Sequence, residues 1–184
     1  MCMVLSELSP EAISAKSETL CHHITHFIST NKRALEVQTI AIFAAHGAEV
    51  NLATLHQLLP EKTFLYPLCR PQRQLSFHIV TSIPELIPGS MSILEPQSER
   101  HIEVPLADAD LILCPGLAFG KDGSRLGHGG GYYDRALHSL SIPTCGVAFQ
   151  NQVHGTVPHD HHDIAMNFII TETGVYPTKP DRGS

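Results

Sequence analysis

The sequence predicts an α/β fold in one domain, residues 1–184, with a mostly parallel sheet flanked by helices and a ligand loop at the carboxyl end of a strand. Helix and strand patterns alternate along the chain, which is typical of α/β proteins. The length of 184 residues suits one domain, and neither a repeat nor a linker divides it. Seven of the 13 glycines lie between Gly116 and Gly131, directly after a buried strand pattern, where α/β folds bind ligands.

The first half of the chain predicts a helix followed by strands. Ser9, Pro10 and Glu11 combine a capping hydroxyl, a proline at the first helical position and an acid in the first turn, so a helix should begin there and continue to about Ile28. The apolar side chains expected to face the core are Ile13, Leu20, Ile24, Phe27 and Ile28. The runs expected to form strands are 39–43, 63–66 with Pro67 at its end, and 75–80, and a further helix is expected at 52–59.

The second half of the chain predicts a winding connection with one short helix, then three strands and a second helix. Residues 83–105 are rich in proline, which favours an irregular path with one short helix at 84–86. Residues 110–114 form a buried strand pattern, and the glycine-rich loop after it should lead into a helix from about Gly131 to Leu140. The last strand patterns are 144–149 and 168–171, and we expect residues 177–184 to be a frayed tail.

Composition excludes several classes of function. The net charge of −6 argues against a nucleic-acid-binding surface, and no apolar run approaches the ~20 residues of a membrane-spanning helix. The N-terminus lacks the pattern of a secretory signal. The five cysteines are an odd number without a C-x-x-C pair, which indicates reduced thiols and a cytoplasmic location. An acidic surface without heptads favours a monomer. A confined phosphate site made of backbone amides remains compatible with this charge, because it needs few cations.

The glycine-rich loop, residues 115–134, contains the residues best suited to chemistry. Its glycines at 127 and 129–131 allow positive φ angles and a close approach of the backbone to a ligand. Successive amides in such a turn can bind an anion, and Arg125 can add a bidentate cation. Tyr132 and Tyr133 suit stacking on a flat heterocycle, and Asp134 suits magnesium. The spacing matches neither a Walker A loop nor a dinucleotide fingerprint. The loop therefore predicts a nucleotide or phosphate site, with a flexible connection that tolerates glycine as the alternative.

The same loop also resembles the signature of a known family. The residues are Pro115-Gly-Leu-Ala-Phe119 and then Gly123-x-Arg-Leu-Gly-x-Gly-x-Gly-Tyr-Tyr-Asp-Arg135, and they are similar to the motif of 5-formyltetrahydrofolate cyclo-ligases, also called 5,10-methenyltetrahydrofolate synthetases. Weaker similarity covers residues 47–50, Pro67, 93–96 and 158–172. The resemblance implies an enzyme that uses ATP and Mg²⁺ to convert 5-formyltetrahydrofolate into 5,10-methenyltetrahydrofolate, with a phosphorylated formyl intermediate and release of ADP and phosphate.

The resemblance also assigns candidate site residues. The ATP-binding set is Arg125, Leu126, Gly127, His128, Gly129, Gly130, Gly131, Tyr132 and Tyr133. Within it, Arg125, Tyr132 and Tyr133 would be catalytic. The substrate-binding set is Ala44, Glu49, Arg70 and Tyr132, with Glu49 accepting paired N–H groups of the pterin. Asp134 and Asn167 would hold the metal.

Several positions depart from the family pattern. The chain begins Met1-Cys-Met-Val4, its first cation is Lys16, and it therefore lacks the basic opening helix of the family. Gly120 and Asn167 stand where acids are usual, and Leu68 stands where a basic residue is usual. These departures keep open an alternative function: a catalytically weakened or inactive paralogue that binds folate or nucleotide.

Three groups of residues suggest other chemistry. The cluster His154, His159, Asp160, His161, His162 and Asp163 could bind zinc or nickel, although no H-E-x-x-H spacing is present and an exposed polar loop is the favoured interpretation. His22, His23 and His26 lie on the first predicted helix and are interpreted as surface or hydrogen-bonded positions. Cys114 ends a buried strand pattern and is interpreted as a small buried apolar residue rather than a nucleophile.

Overall fold

A central mixed sheet organises the computed structural model, which describes residues 8–30, 36–160 and 163–178. The helices are α1 Pro10–Thr30, α2 Leu55–Leu58 and α3 Tyr132–Leu137. The strands are β1 Thr39–Ala41, β2 Thr63–Arg70, β3 Gln74–Ile79, β4 Ile87–Pro88, β5 Leu94–Glu95, β6 Glu103–Val104, β7 Leu111–Cys114, β8 Ala118–Gly120, β9 Arg125–Leu126, β10 Thr144–Val147, β11 Val153–His154, β12 Phe168–Thr171 and β13 Gly174–Pro177. Short 3-10 segments lie at Pro71–Arg73, Ile83–Glu85, Ser90–Ser92, Leu106–Asp108 and Gln150–Gln152.

The strand order of the central sheet creates a crevice at one edge. The order is β13-β12-β10-β7-β1-β2-β3-β6. All pairs from β12 to β2 are parallel, whereas β13, β3 and β6 join by antiparallel pairing. The chain leaves β1 toward β2 on one side and later returns to β7 on the other. Open α/β sheets bind ligands outside the carboxyl ends of the strands at such a point of reversal.

Two helices cover opposite faces of this sheet, as an α/β fold requires. All four residues of β7 are buried, which is typical of a parallel strand covered on both sides. On one face, α1 buries Leu20, Ile24, Phe27 and Ile28, as its periodicity predicts, and the partly buried Ile13 packs against the same core. On the other face, α3 belongs to a second apolar cluster. The predicted fold class is confirmed. No helix in the described residues is long and apolar enough to cross a lipid bilayer.

The structure shortens the predicted helices and several strands. The helix predicted at 52–59 is the single turn α2, and the helix predicted from Gly131 to Leu140 ends at Leu137. His138 leaves helical geometry with ψ 128°, and Ser139 has φ +69°. Strand pairing ends at Ala41 and Val147 instead of at residues 43 and 149. The apolar patterns that predicted longer strands continue past residues 41 and 147 because the side chains that follow are also buried.

Other predictions were wrong about strand position. Pro67 lies inside β2 opposite Phe77, beyond the last β1–β2 pair at Leu65, and its missing N–H falls on the β1 side of the strand. The connection 83–105 contains the short hairpin of β4 and β5 beside the 3-10 turn Ile83–Glu85. The predicted frayed tail does not begin at Pro177, which ends β13, and the Thr178 N–H donates to the carbonyl of Asn167. Residues 179–184 lie outside the described residues.

A small second sheet, in the order β11-β8-β9, fastens the glycine-rich loop to the core through Phe119. The Phe119 side chain is fully buried. A Cβ atom at Gly116 would lie 2.7 Å from the Phe119 ring, and one at Gly146 would overlap it. These two glycines therefore make room for an aromatic ring, which is a different role from the positive φ angles expected for the loop.

Removing the Phe119 ring should destabilise the fold strongly. We expect Phe119→Ala to lower the free energy of unfolding by about 3–5 kcal/mol, because it leaves a cavity where β8 packs on the core. Urea denaturation followed by circular dichroism measures this change. Ile102→Ala is the matched control, since that side chain is 71% exposed and should change stability by about 0.5 kcal/mol or less. Equal stabilities for the two variants would contradict this account of the core.

Candidate active site

A cavity of about 800 Å³ opens where β1 and β7 end. Phe43 and Ala44, which follow β1, and Pro115, which follows β7, line it. Its volume lies within the ~300–1,000 Å³ common for small-molecule sites. The cavity therefore occupies the position in the sheet at which α/β folds bind ligands.

The glycine-rich loop forms one wall of this cavity. Every residue from Arg125 to Asp134 lines it, so the structure brings the whole predicted ATP-binding set together. Gly129 has φ +79° and Gly131 has φ +64°, backbone angles that side chains disfavour. The Arg135 guanidinium donates to the carbonyls of Gly130 at 3.0 Å and Gly131 at 2.9 Å. These bonds tie down loop carbonyls and help to hold the turn in one shape.

Arg125 is the central charged group of this wall. Its side chain is only 5% exposed, and Nη2 donates to Asp134 Oδ1 at 2.8 Å. The guanidinium also lies 5.5 Å from the centre of the Tyr133 ring. Among the described residues, Arg125 Nε is buried and has no hydrogen-bond partner. A buried cation with an unused donor beside a cavity is well suited to bind an anionic ligand.

Tyr133 is placed beside Arg125 with its hydroxyl buried. Within the described part of the chain, this hydroxyl has no hydrogen-bond partner. Burial raises the pKa of Tyr133 well above the ordinary value for tyrosine. The residue therefore stays neutral near pH 7 and can donate a hydrogen bond, but it cannot serve there as a phenolate base.

The predicted substrate-binding residues divide into two groups. Ala44, Glu49 and Tyr132 line the cavity. Glu49 Oε2 accepts the His46 N–H at 3.0 Å, and Glu49 Oε1 lies 3.4 Å from His128 Nε2. Each oxygen of the Glu49 carboxylate therefore has one partner and can accept further hydrogen bonds.

Arg70, the fourth residue of the predicted substrate-binding set, does not line the cavity. Its neighbour on β2, Cys69, lines the cavity, and successive strand side chains point to opposite faces. Arg70 instead donates to Ser76 Oγ at 2.8 Å and pairs with Glu103 at 3.4 Å.

Of the two predicted metal ligands, only Asp134 lies at the cavity. Its side chain is 26% exposed there and carries the Arg125 ion pair. Asn167 lies just before β12, at the amino ends of the parallel strands, whereas the cavity opens at their carboxyl ends. Its Oδ1 accepts the Thr144 N–H at 2.9 Å and the Thr144 hydroxyl at 3.2 Å. Asn167 thus caps a strand start, and among the described residues it does not line the cavity with Asp134.

The histidine-rich segment borders the cavity and does not form a separate metal site in the described residues. His159, Asp160 and Asp163 line the cavity, and the Asp160 N–H donates to Asp163 Oδ2 at 2.8 Å. His154 is exposed, and His161 and His162 lie outside the described residues. No group of three or more His, Cys, Asp or Glu side chains that the structure describes could hold a metal ion. The favoured interpretation as a plain exposed loop also missed the contact with the cavity.

The histidines of α1 occupy the positions expected of them. His23 Nδ1 donates to the Thr171 carbonyl at 2.8 Å, whereas His22 and His26 are exposed. The surface or hydrogen-bonded interpretation is therefore confirmed for these three side chains.

Some departures from the family pattern have structural reasons in this chain. Asp122 and Ser124 fill the space that a side chain at Gly120 would need. Leu68 lies within β2 opposite Ser76. The opening residues Met1 to Val4 lie outside the described residues.

The first cation of the chain, Lys16, is committed to an ion pair away from the cavity wall. Lys16 Nζ lies 2.8 Å from Glu172 Oε1 and 5.9 Å from the centre of the Phe149 ring. Burial would raise the pKa of Glu172, but bonds from Lys16 and from the Gln150 N–H outweigh it and lower that pKa. The ion pair joins α1 to the end of β12.

Sequence reasoning missed the second wall of the cavity. This wall comes from the β2–β3 hairpin and the β4–β5 segment, and it includes Pro67, Cys69, Leu75, Ile93 and Glu95. The one available signal was Glu95, an acid within the apolar, family-like stretch 93–96.

Comparisons with known proteins agree with this geometry. The family model of the 5-formyltetrahydrofolate cyclo-ligase family matches residues 3–172. The chain belongs to the 5-formyltetrahydrofolate cyclo-ligase family. A cyclo-ligase of Saccharomyces cerevisiae is 37% identical over 198 positions, covering 93% of this chain and 91% of that protein. The Haemophilus influenzae cyclo-ligase is 28% identical over 142 residues, covering 73% of this chain and 76% of that protein.

A solved structure extends the likeness to the whole fold. The 5,10-methenyltetrahydrofolate synthetase of Aquifex aeolicus superposes with a TM-score of 0.79 at 29% identity, covering 100% of this chain and 90% of that one. The resemblance and the ligase class predicted from the glycine-rich motif are thus confirmed for this cyclo-ligase family member.

Cys114 of this cyclo-ligase family member should not react as a nucleophile. The thiol is fully buried, and burial raises its pKa to about 12. We expect iodoacetamide at pH 8 to leave Cys114 unmodified in the folded chain, because both access and thiolate are lacking. Mass spectrometry of the Cys114 peptide measures the labelling, and the same peptide from urea-unfolded chain is the control. Rapid labelling in the folded state would restore the nucleophile interpretation.

Proposed function

We propose that this chain catalyses the ATP- and Mg²⁺-dependent cyclisation of 5-formyltetrahydrofolate to 5,10-methenyltetrahydrofolate, with release of ADP and phosphate. One observation carries the proposal: the complete family loop, from Arg125 to Asp134, lines a single cavity at the carboxyl edge of the sheet. A monomeric state and a cytoplasmic location stay predictions from the sequence.

The reaction needs the formyl oxygen to become a leaving group. A formamide oxygen does not leave unaided when N10 of the folate attacks the formyl carbon. Transfer of the γ-phosphoryl group of ATP to that oxygen gives an imidate phosphate and ADP. N10 then bonds to the formyl carbon and loses its proton, and the C–O bond breaks to release phosphate. The protein's task is to position the reactants and to stabilise the charge on the transferred group.

Arg125 and the loop amides are suited to that task. Arg125 lines the cavity with its positive charge, and Gly129 and Gly131 present the backbone without intervening side chains. Fixed donors in a partly dehydrated cavity stabilise developing negative charge more strongly than water does. Tyr133, held neutral by burial, can donate a hydrogen bond to an oxygen of either reactant.

Asp134 fits a magnesium ion that arrives with ATP. Mg²⁺ is commonly bound by one or two carboxylates together with substrate phosphates. Since Arg125 holds Asp134 Oδ1, the second oxygen, Oδ2, is the candidate ligand. When bound, the ion neutralises phosphate charge.

A turnover assay tests the proposal directly. The full chain, mixed with 5-formyltetrahydrofolate, ATP and Mg²⁺, should produce the absorbance of the methenyl product, and omission of ATP or addition of EDTA should abolish the signal. Isothermal titration with each substrate serves as the companion measurement. Binding of both substrates without turnover would contradict the enzyme proposal and support the non-catalytic paralogue.

The loop conformation should be essential for ATP binding. A valine at position 129 cannot adopt φ +79° without strain of order 1–3 kcal/mol, so Gly129→Val should displace the loop. We expect its Kd for ATP to rise about tenfold or more, since each 1.4 kcal/mol is tenfold in affinity. Titration calorimetry measures the Kd, and a circular dichroism spectrum like that of the parent chain shows that the fold is kept.

Gly155→Val is the matched control for this substitution. Gly155 lies off the cavity wall, and a Cβ atom there meets no atom within 4 Å. Its Kd for ATP should equal that of the parent chain. Unchanged ATP affinity in Gly129→Val would argue against the assigned phosphate site.

A further inference from the structure

Arg135 holds two carbonyl groups of the glycine-rich loop from outside the cavity. The residue is exposed, and it is not among those that line the cavity. Its Nη1 atom donates to the Gly130 carbonyl at 3.0 Å and to the Gly131 carbonyl at 2.9 Å. A Cβ atom at Gly131 would lie 2.9 Å from the same nitrogen, so this glycine leaves the room that the guanidinium needs. One side-chain nitrogen thus engages two successive peptide groups.

The orientation of these peptide groups decides what the loop presents to the cavity. In a trans peptide the C=O and the N–H that follows it point in opposite directions, and no peptide bond among the described residues is cis. Carbonyls turned toward Arg135 therefore turn the N–H groups of Gly131 and Tyr132 away from it. In the part of the chain that the structure describes, neither N–H donates to a backbone carbonyl. Both residues line the cavity, so these two donors are available to a ligand there.

A run of glycines needs such a restraint from outside the run. Gly129, Gly130 and Gly131 have no Cβ atoms, so both signs of φ are open to them and the peptide planes between them can turn over at little cost. A plane that turned over would point a carbonyl oxygen at the ligand in place of an N–H group. That oxygen carries a partial negative charge and would repel a phosphate group.

We propose that Arg135 is a positioning residue for the nucleotide. Its bonds to the carbonyls of Gly130 and Gly131 keep the loop peptides turned so that their N–H groups face the phosphates of ATP. This role rests on the proposed function, because it takes ATP as the ligand of the loop. Arg135 acts through the backbone and not as a further phosphate-binding cation, since its Nη1 donors are used by the two carbonyls.

Titration calorimetry with ATP on two variants of Arg135 measures this role. Arg135→Met keeps an apolar stem but has no donor, so we expect its Kd for ATP to rise about tenfold or more, as for loss of hydrogen bonds to a charged group. Arg135→Lys should return the Kd to within about threefold of the parent value, because an ammonium group also carries several N–H donors. Because the residue is exposed, both variants should keep the circular dichroism spectrum and the urea midpoint of the parent chain.

Salt separates positioning from attraction through space. A cation that merely attracts ATP loses its effect as salt is added, since the screening length is only about 10 Å at about 0.1 M and shrinks further above that. A restraint on the backbone is not screened in this way. We expect the ratio of the Kd of Arg135→Met to that of the parent to change by less than about twofold between about 0.1 M and about 0.5 M NaCl.

Arg100→Met is the matched control, because it removes the same charge from another exposed position. None of the ion pairs formed in the described ranges includes Arg100. Its Kd for ATP should equal that of the parent chain at both salt concentrations.

The outcomes separate this role from the proposed function. Unchanged ATP affinity in Arg135→Met, no recovery in Arg135→Lys, or a Kd ratio that falls to one in salt overturns the positioning role and leaves the cyclisation proposal intact. The expected pattern in a chain that binds ATP without turnover supports Arg135 and contradicts the cyclisation. A parent chain that does not bind ATP overturns both.

Discussion

The ion pair of Arg125 with Asp134 fixes the geometry on which the site depends. It joins β9 to α3, so the intervening turn of four glycines and His128 is anchored at both ends. The pair is nearly dehydrated on the arginine side, where burial strengthens its attraction but also raises the cost of losing one partner. Arg125 therefore does two jobs that are hard to separate by mutation, because it shapes the loop and supplies its cation. The aromatic face of Tyr133 supports the same guanidinium.

The cavity wall carries more negative than positive charge. The described wall carries the carboxylates of Glu49, Glu95, Asp134, Asp160 and Asp163 against the single guanidinium of Arg125. Lys16, the first cation of the chain, forms an ion pair with Glu172. A polyphosphate entering alone would meet this excess of negative charge, so positive charge must come in with it or from the loop amides.

The sequence was informative where a pattern is local and long. The helix α1 and the glycine motif were predictable because capping, periodicity and contiguous residues carry them. The positions of Arg70 and Asn167 away from the cavity depend on sheet geometry, which the sequence does not record. Arg70 alternates with the cavity-lining Cys69 along β2, and Asn167 lies before the start of β12. The stretch 93–96 drew attention to Glu95, but its place on the cavity wall depends on contacts with Cys69 and Gly89 that the sequence does not record.

Pro67 limits how far β1 and β2 can pair. The parallel ladder of β1 and β2 uses the N–H of every second residue of β2, as where Thr63 donates to the Gln38 carbonyl at 2.9 Å. Continued by this step of two, the series reaches position 67, where proline has no hydrogen to give. The last backbone bond between these segments is the one from the Ile42 N–H to the Leu65 carbonyl, directly before Phe43 and Ala44, which line the cavity. Pro67 therefore limits backbone pairing at the carboxyl end of β1, and this leaves Phe43 and Ala44 to line the cavity instead of continuing the strand.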